Sequence, residues 1–417
     1  MTIPTINPDR LWNDIEALSG ITDPERPWTR RSFSPLFSEG RAWLGRRFGE
    51  AGLEVSIDPA GNLLGRRPGR NNALPPILSG SHSDTVPSGG RFDGILGVLC
   101  ALEVARAMDE AGYIMHRAFE VVDFLAEEPS EFGVSCIGSR AFAGALDSAM
   151  LARTRADGTT LAQAIRSVGG DPDNIPDARR AAGSISGYLE VHIEQGPVLE
   201  NAGIPIGIVS GISGIRRDEL VFTGRADHSG TTPMNARADA LVAAATFVEL
   251  VHSRALEKTS EGAEIVATVG RLDVQPNAAN AVPGEVTLTL EVRSPETDLI
   301  DQFCRELMAE GQAVANRFGI FQNTKQISSV PPTRCDDAII SAIQVAADAC
   351  GYSSRTLPSG AGHDAVFAAA SGPVGMVFVP CREGRSHSPD EWADPEACAA
   401  GANTLLQTLI MLDEVPS

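Results

Sequence analysis

Between residues 217 and 325 the chain changes its rhythm, and no other feature restricts the fold so strongly. Strand-like runs fall at 218–224 and 264–274, strict alternation marks 285–293, and 320–327 closes the set; helical stretches fall at 237–256 and, amphipathic, at 295–318. The resulting order, β-α-β-β-α-β, is a ferredoxin-like arrangement that can stand alone as a small α+β unit with one open sheet face or edge.

The flanking sequence reads differently. A strand-like run at 76–81 is followed by a helical stretch at 95–111 and a second apolar run at 119–125. That order predicts parallel βαβ units, whose ligands gather at the carboxyl ends of the strands. An α/β pattern returns after the block. We therefore expect a catalytic α/β domain, residues 1–213 and 328–417, interrupted by an inserted α+β domain at 214–327; a chain of 417 residues is long for a single core. The stretch DPDNIPD, 171–177, reads as a surface loop.

Charge narrows the partners. The formal net charge is −20 and Lys258 and Lys325 are the only lysines. Such a field repels nucleic acid and anionic membrane, and an anionic substrate needs a local arginine to receive it. Seven cysteines are scattered with no CxxC spacing. With no N-terminal basic-apolar signal and no apolar run near membrane-spanning length, the expected compartment is the reducing cytoplasm and the cysteines are structural.

The chemistry sits where apolar runs end. GSHSDTVPSGGRFDG, 80–94, places His82 and Asp84 two residues apart, on one side of an extended chain. Asp84 can hold His82 in the tautomer that frees one ring nitrogen for a metal. Asp93 returns through glycines that permit a tight turn; alone it suits a helix cap, but beside His82 and Asp84 it reads as a ligand. Glu127 and Glu128 follow VVDFLA, where two ionised carboxylates are costly without a cation. One can ligate metal while its neighbour faces water as general base. YLEVHIEQ, 188–195, carries His192 on a strand face with Glu190 and Glu194, and His387 lies in GRSHSPDE, after the run GMVFVP. His82, Asp93, Glu128, His192 and His387 exceed what one zinc needs and suit two ions sharing a carboxylate. His228 and His363 also fall in polar stretches at the ends of apolar runs, whereas His116 and His252 do not.

In chain order, HSDTVPSGGRFDG, AEE, EVHIEQG, GRADHSGTTPMNARADA, PNAANAVPGEV with Arg293, SGAGHDA and GRSHSPDE resemble the M20-type metal-dependent amidohydrolases. Within them the likeness is to the hydantoinase/carbamoylase branch: N-carbamoyl-L-amino-acid hydrolases, β-ureidopropionases and allantoate amidohydrolases. It runs over nearly the whole chain. It implies a two-domain α/β fold, a catalytic domain with a mixed, largely parallel sheet and an inserted ferredoxin-like dimerisation and lid domain, in a homodimer. It implies two divalent metal ions per subunit, zinc first, with manganese, cobalt or nickel as alternatives. His82 and His192 would hold one ion and Glu128 and His387 the other, with Asp93 bridging, Asp84 orienting His82 and Glu127 as general base. His228 would stabilise the oxyanion, in its own or the partner subunit's site. Arg293 would grip a substrate carboxylate, and Gln195, Asn280 and Gly362 are further substrate contacts. The implied reaction is hydrolysis of the ureido C–N bond of a small N-carbamoyl-L-amino acid, giving amino acid, CO2 and ammonia. β-Ureidopropionase, allantoate amidohydrolase and aminoacylase or peptidase activities are the alternatives.

From the residues alone, Arg293 suits a cross-strand ion pair equally well and His228 suits the turn-rich run DHSGTTP. The chain departs from the branch after Glu128: Pro129-Ser130-Glu131 stands where a Gly and then an Arg usually precede the Phe. That change bears on substrate preference, not on the metal ligands.

Overall fold

Four runs are buried at every position: Ile77–His82, Phe119–Phe124, Gly187–Ile193 and Val374–Val379. A strand covered on both faces has no reason to alternate between apolar and polar faces, and the polar residues these runs do carry, among them Glu120, Asp123, Glu190 and His192, are buried with the rest. The computed structural model describes residues 4–414. In it the chain divides into two compact units, one taking the chain up to Ser210 and again from Cys335, the other being Gly211–Arg334.

The larger unit contains β1 (Glu54–Ile57), β2 (Leu63–Arg67), β3 (Ile77–His82), β4 (Phe119–Phe124), β5 (Gly187–Ile193), β6 (Ile206–Ile212, which runs into the smaller unit), β14 (Ser354–Ser359) and β15 (Val374–Val379). The sheet order is β1-β2-β4-β3-β5-β15-β6, with β14 beside β6. The central four, β4-β3-β5-β15, are parallel, and antiparallel strands flank them. The sheet is therefore mixed, with a parallel centre whose carboxyl ends lie side by side.

Helix Ile95–Glu110 covers one face and is buried from Ile95 to Met108. It packs with Pro395–Glu414 and Pro8–Ser19 through a core that includes Leu99, Leu102, Val191, Val377 and Leu405. Its start is pressed against the strands: a Cβ on Gly97 would lie 2.5 Å from the Val191 carbonyl oxygen, and one on Gly94 only 2.3 Å from His82 Nε2. Gly94 also has φ +69, a conformation glycine adopts freely. These two glycines let the helix, and Asp93 before it, approach the strand ends.

The smaller unit is built from β7 (Gly214–Thr223), β9 (Val266–Gln275), β11 (Glu285–Ser294) and β12 (Phe321–Val330), in the antiparallel order β12-β7-β11-β9. β8 (Asp227–His228) and β10 (Ala281–Val282) form a two-stranded ladder, and β13 (Thr333–Arg334) pairs with the end of β6. β11 alternates as its sequence requires: Val286, Leu288, Leu290 and Val292 are buried. They face helices Ala240–Ser260 and Thr297–Arg317, which contribute Phe247, Phe303 and Leu307 to the same core. Each fully buried side chain of this kind stabilises by about 1.5–3 kcal/mol.

Three local expectations need correction. Residues 171–177 are not a loop: Pro172–Ala178 is a 3-10 helix that buries Pro172, Ile175 and Ala178. β5 ends at Ile193, so Glu194 is not on the His192 face; its carboxylate accepts the N–H groups of Val198 and Leu199 instead, at 2.8 Å each. β15 ends at Val379, and His387 is held by the irregular segment beyond it, not by the strand end. All seven cysteines are free, and all but Cys350 are buried. Among the described residues no helix is long and apolar enough to cross a membrane.

Candidate metal centre

The parallel strands deliver their polar residues to one place. His82 closes β3, His192 lies near the end of β5, and Glu127 and Glu128 follow β4. Asp93 stands at the centre and divides its two oxygens. Oδ1 lies 3.2 Å from His192 Nε2 and 3.5 Å from His82 Nε2, while Oδ2 lies 3.1 Å from His387 Nε2. His387 Nε2 is in turn 3.2 Å from Glu128 Oε1. The result is two donor groups sharing Asp93: His82, Asp93 and His192 in one, Asp93, Glu128 and His387 in the other. Within each, one ligand atom per residue lies within 4.8 Å of the others. Imidazole and carboxylate donors at this spacing fit divalent ions of the zinc type, whose ligand bonds are about 2.0–2.2 Å.

Electrostatics agree. Burial opposes ionisation of Asp93, but hydrogen bonds from His192, His387 and His82 hold its carboxyl well below the usual range. Its hydrogen bond and that of Glu128 push His387 up to about 11. A pocket this rich in anions calls for positive charge.

The two histidines of the first group are turned by their other nitrogen. His82 Nδ1 lies 3.0 Å from the Asp84 main-chain carbonyl and His192 Nδ1 2.9 Å from that of Ile193, which directs each Nε2 toward Asp93. The Asp84 carboxylate is farther from His82, at 3.5 Å, and its Oδ1 accepts the Glu127 N–H at 3.2 Å. Asp84 thus orients His82 chiefly through its backbone and ties it to Glu127. Its Oδ2 is buried without a hydrogen-bond partner.

Glu127 stands apart from the two groups. Its Oε2 is 3.7 Å from His82 Nε2, and its Oε1 accepts a hydrogen bond from Cys136 Sγ at 3.3 Å. Burial pushes its carboxyl well above the usual range, against the pull of His82 and with the help of Glu128. An elevated carboxyl suits a proton acceptor working near neutrality. Burial likewise pushes the Cys136 thiol up, so it is an S–H donor. Backbone strain gathers in these segments: Ser88, Ala126, Cys136, Gln195 and His387 all have φ between 52 and 58.

Several polar residues at the centre had no assigned role in the sequence. Glu391, 1% exposed, accepts the N–H groups of Phe92 and Asp93 at 2.7 and 3.1 Å and contacts Ser386 Oγ at 2.9 Å; burial raises it to about 7. Ser386 Oγ also lies 2.7 Å from Asp93 Oδ2. His363 stacks edge-on against His192, ring centroids 4.6 Å apart, and its Nε2 meets Ser359 Oγ at 2.8 Å. Burial, then His192, hold it well below the usual imidazole range. Glu391 lies within GRSHSPDE and His363 within SGAGHDA, so position in a quoted motif was the available signal.

The other candidate residues separate. Gln195 Nε2 donates to Asp93 Oδ2 at 2.7 Å, while its Oε1 is buried and unpartnered. Gly362 is exposed. His228 and Asn280 lie on neighbouring segments of the smaller unit, where His228 pairs with Ala281, Asn280 O accepts the Ser229 N–H at 3.1 Å and His228 Nδ1 accepts that of Gly230 at 3.1 Å. Arg293, also there, donates Nε to Glu291 Oε1 at 2.7 Å. In the departing segment Ser130 Oγ donates to the Val134 carbonyl, and exposed Glu131 lies 3.7 Å from Arg155.

Residues 78–411 match the family model described as peptidase family M20/M25/M40. The chain belongs to this family. It is 38% identical over 408 residues to an N-carbamoyl-L-amino acid amidohydrolase of Geobacillus stearothermophilus, covering 98% of this chain and 99% of that protein. It is 34% identical over 410 residues to a ureidoglycolate hydrolase of Arabidopsis thaliana, covering 96% and 86%. A solved amidase of the hydantoinase/carbamoylase family from Burkholderia multivorans superposes with a TM-score of 0.92 at 37% identity, covering both chains fully. This M20 protein is therefore a hydrolytic enzyme of the hydantoinase/carbamoylase branch. The M20 family is metal-dependent, and the groups around Asp93 are residues with which this member could hold metal.

Proposed function

We propose that this M20 enzyme hydrolyses the ureido C–N bond of N-carbamoyl-L-amino acids, releasing the amino acid, CO2 and ammonia. The observation that carries the reading is the division of the Asp93 carboxylate between two donor groups, with Glu127 beside them and outside both. In this reading His82 and His192 hold one divalent ion, Glu128 and His387 hold a second, and Asp93 serves both; zinc is the first choice by donor type, with manganese, cobalt or nickel also compatible. When bound, such ions polarise a carbonyl oxygen and ease deprotonation of water.

The chain's own residues do the rest. Glu127 Oε2 takes the proton from the attacking water and returns it to the leaving nitrogen. Asp84 keeps His82 and Glu127 in mutual register. For the smaller unit, the proposed roles are oxyanion contact for His228, carboxylate grip for Arg293 and substrate contact for Asn280; Gln195 and Gly362 are proposed substrate contacts of the larger unit. Exposed Val266, Phe321 and Val330 on the edge strands of the smaller unit support a homodimer formed through it, measurable as the native mass in solution. Free cysteines throughout support a reducing, cytoplasmic setting.

The test is release of the free amino acid from N-carbamoyl, N-acetyl and dipeptide compounds of one side chain, together with ammonia release across ureido compounds, with each metal returned to chelated protein. Selective turnover of the N-carbamoyl compound is expected. Preference for an N-acetyl or dipeptide substrate would move the activity to aminoacylase or peptidase chemistry. The ureidoglycolate hydrolase relative supports a second reading, on ureidoglycolate, allantoate or β-ureidopropionate, which ammonia release from those three ureido compounds resolves.

A further inference from the structure

Cys136 has no role in the reaction as described, yet it touches the proposed base. Its thiol, 3.3 Å from Glu127 Oε1, is the one side-chain hydrogen-bond donor to that carboxylate among the described residues. The opposite oxygen, Oε2, is the one that faces His82. The backbones are laced as well. The N–H groups of Cys136, Ile137 and Gly138 donate to the carbonyls of Glu127, Ala126 and Leu125, at 2.8, 3.1 and 2.8 Å.

Local structure gives no reason for a cysteine here. Cys136 is the N-cap of helix Ile137–Ala143 but makes no side-chain cap bond, and its φ is +53. Serine, aspartate, asparagine or glycine would serve such a cap better, and the left-handed conformation favours glycine or asparagine. The Ala126 backbone, in the facing strip, is left-handed too, with φ +52. Two strained residues thus bring a small donor under one oxygen of Glu127, a pattern expected where geometry serves function.

We propose that Cys136 is a positioning residue, whose S–H fixes Glu127 Oε1 so that Oε2 is the oxygen presented to the reacting water. The inference rests on Glu127 as the base. Thiols are weak donors, so the effect is on orientation and should fall on kcat.

The experiment compares Cys136→Ala and Cys136→Ser in metal-loaded protein, using whichever compound of the screen the wild type turns over fastest. Cys136→Ala is expected to lower kcat about 10-fold, a fraction of what a general base contributes, with KM and bound metal within about twofold. Cys136→Ser, which restores an O–H donor, should recover most of that loss. A second measurement needs no activity: the infrared S–H stretch that disappears in Cys136→Ser should move to higher wavenumber in Glu127→Ala, because the acceptor is gone. Unchanged kcat in Cys136→Ala, equal losses in the alanine and serine variants, or metal lost in proportion would each overturn the role. Should Cys136→Ala fail to fold, the near-isosteric serine variant and the infrared band decide. An unmoved band with an inactive Glu127→Gln overturns this role alone; an active Glu127→Gln overturns the proposed mechanism and this role with it.

Discussion

The two units solve opposite problems. In the smaller, Asp218 and Ser294 are the only buried polar side chains among the described residues, and its core is Phe, Leu, Ile, Val, Ala and one Cys. In the larger, His82, Asp84, Asp93, Glu128, His192, Glu190, His363, Asp364 and Glu391 are all buried at or near the strand ends. Asp84, Gln195 and Asp364 each leave a buried oxygen without a hydrogen-bond partner near this cluster, where the smaller unit has one such oxygen among the described residues, Gln322 Oε1. Unpaired buried polar atoms are costly and are retained where something else compensates. The difference shows which unit is organised for its own stability and which for holding charge.

The sharpest way to break that contrast is Glu127→Gln. We expect turnover to fall about 10³-fold with bound metal unchanged, read by kcat and by metal analysis of the same sample; substantial residual activity would remove the base from the mechanism. In the smaller unit, Phe247→Ala should instead destabilise by about 3–5 kcal/mol in denaturant unfolding and leave metal content intact. Chelation should act on the other side of the comparison. An ion present at 100 times its dissociation constant stabilises by about 2.7 kcal/mol, so stripping it should speed amide exchange at residues 80–94 and 125–128 and leave β9 and β11 as they were.

The smallest effect concerns pH. Burial opposes ionisation of Glu291, but Arg293 and Arg217 hold its carboxyl below the ordinary 4.5. A depressed carboxyl contributes stability that is full above the ordinary value and is lost as pH falls through the lower, folded one. The pair is about a quarter exposed at Glu291, so the contribution is under about 1 kcal/mol. The gap in unfolding midpoint between wild type and Glu291→Gln should be present at pH 7 and shrink below pH 4.5; a gap independent of pH would assign it to packing.

Legibility in the sequence followed the same division. The alternation of Val286, Leu288, Leu290 and Val292 encodes which face of β11 is buried, because a strand's period is fixed by its pleat. His82, Asp84 and Asp93 were legible because they lie within one short run after an apolar strand. Glu391 was not, since it meets Asp93 from 298 residues away. Nor was the thiol contact on Glu127, which depends on a left-handed backbone at Cys136. Local patterns encode burial and turns, whereas pairing between remote polar groups depends on how the strands are ordered. The alternation of YLEVHIEQ does not by itself say which face is covered: β5 lies between β3 and β15 and is buried throughout.

The sheet order also bears on how the molecule is made. β15 lies between β5 and β6, yet it is synthesised only after the whole Gly211–Arg334 unit. A nascent chain that has emerged as far as residue 334 therefore has a missing stave in the middle of its parallel sheet, and Asp93 and Glu128 lack their histidine from position 387. The smaller unit can fold during that interval, while the first stretch waits on the ribosome with its acidic cluster half assembled.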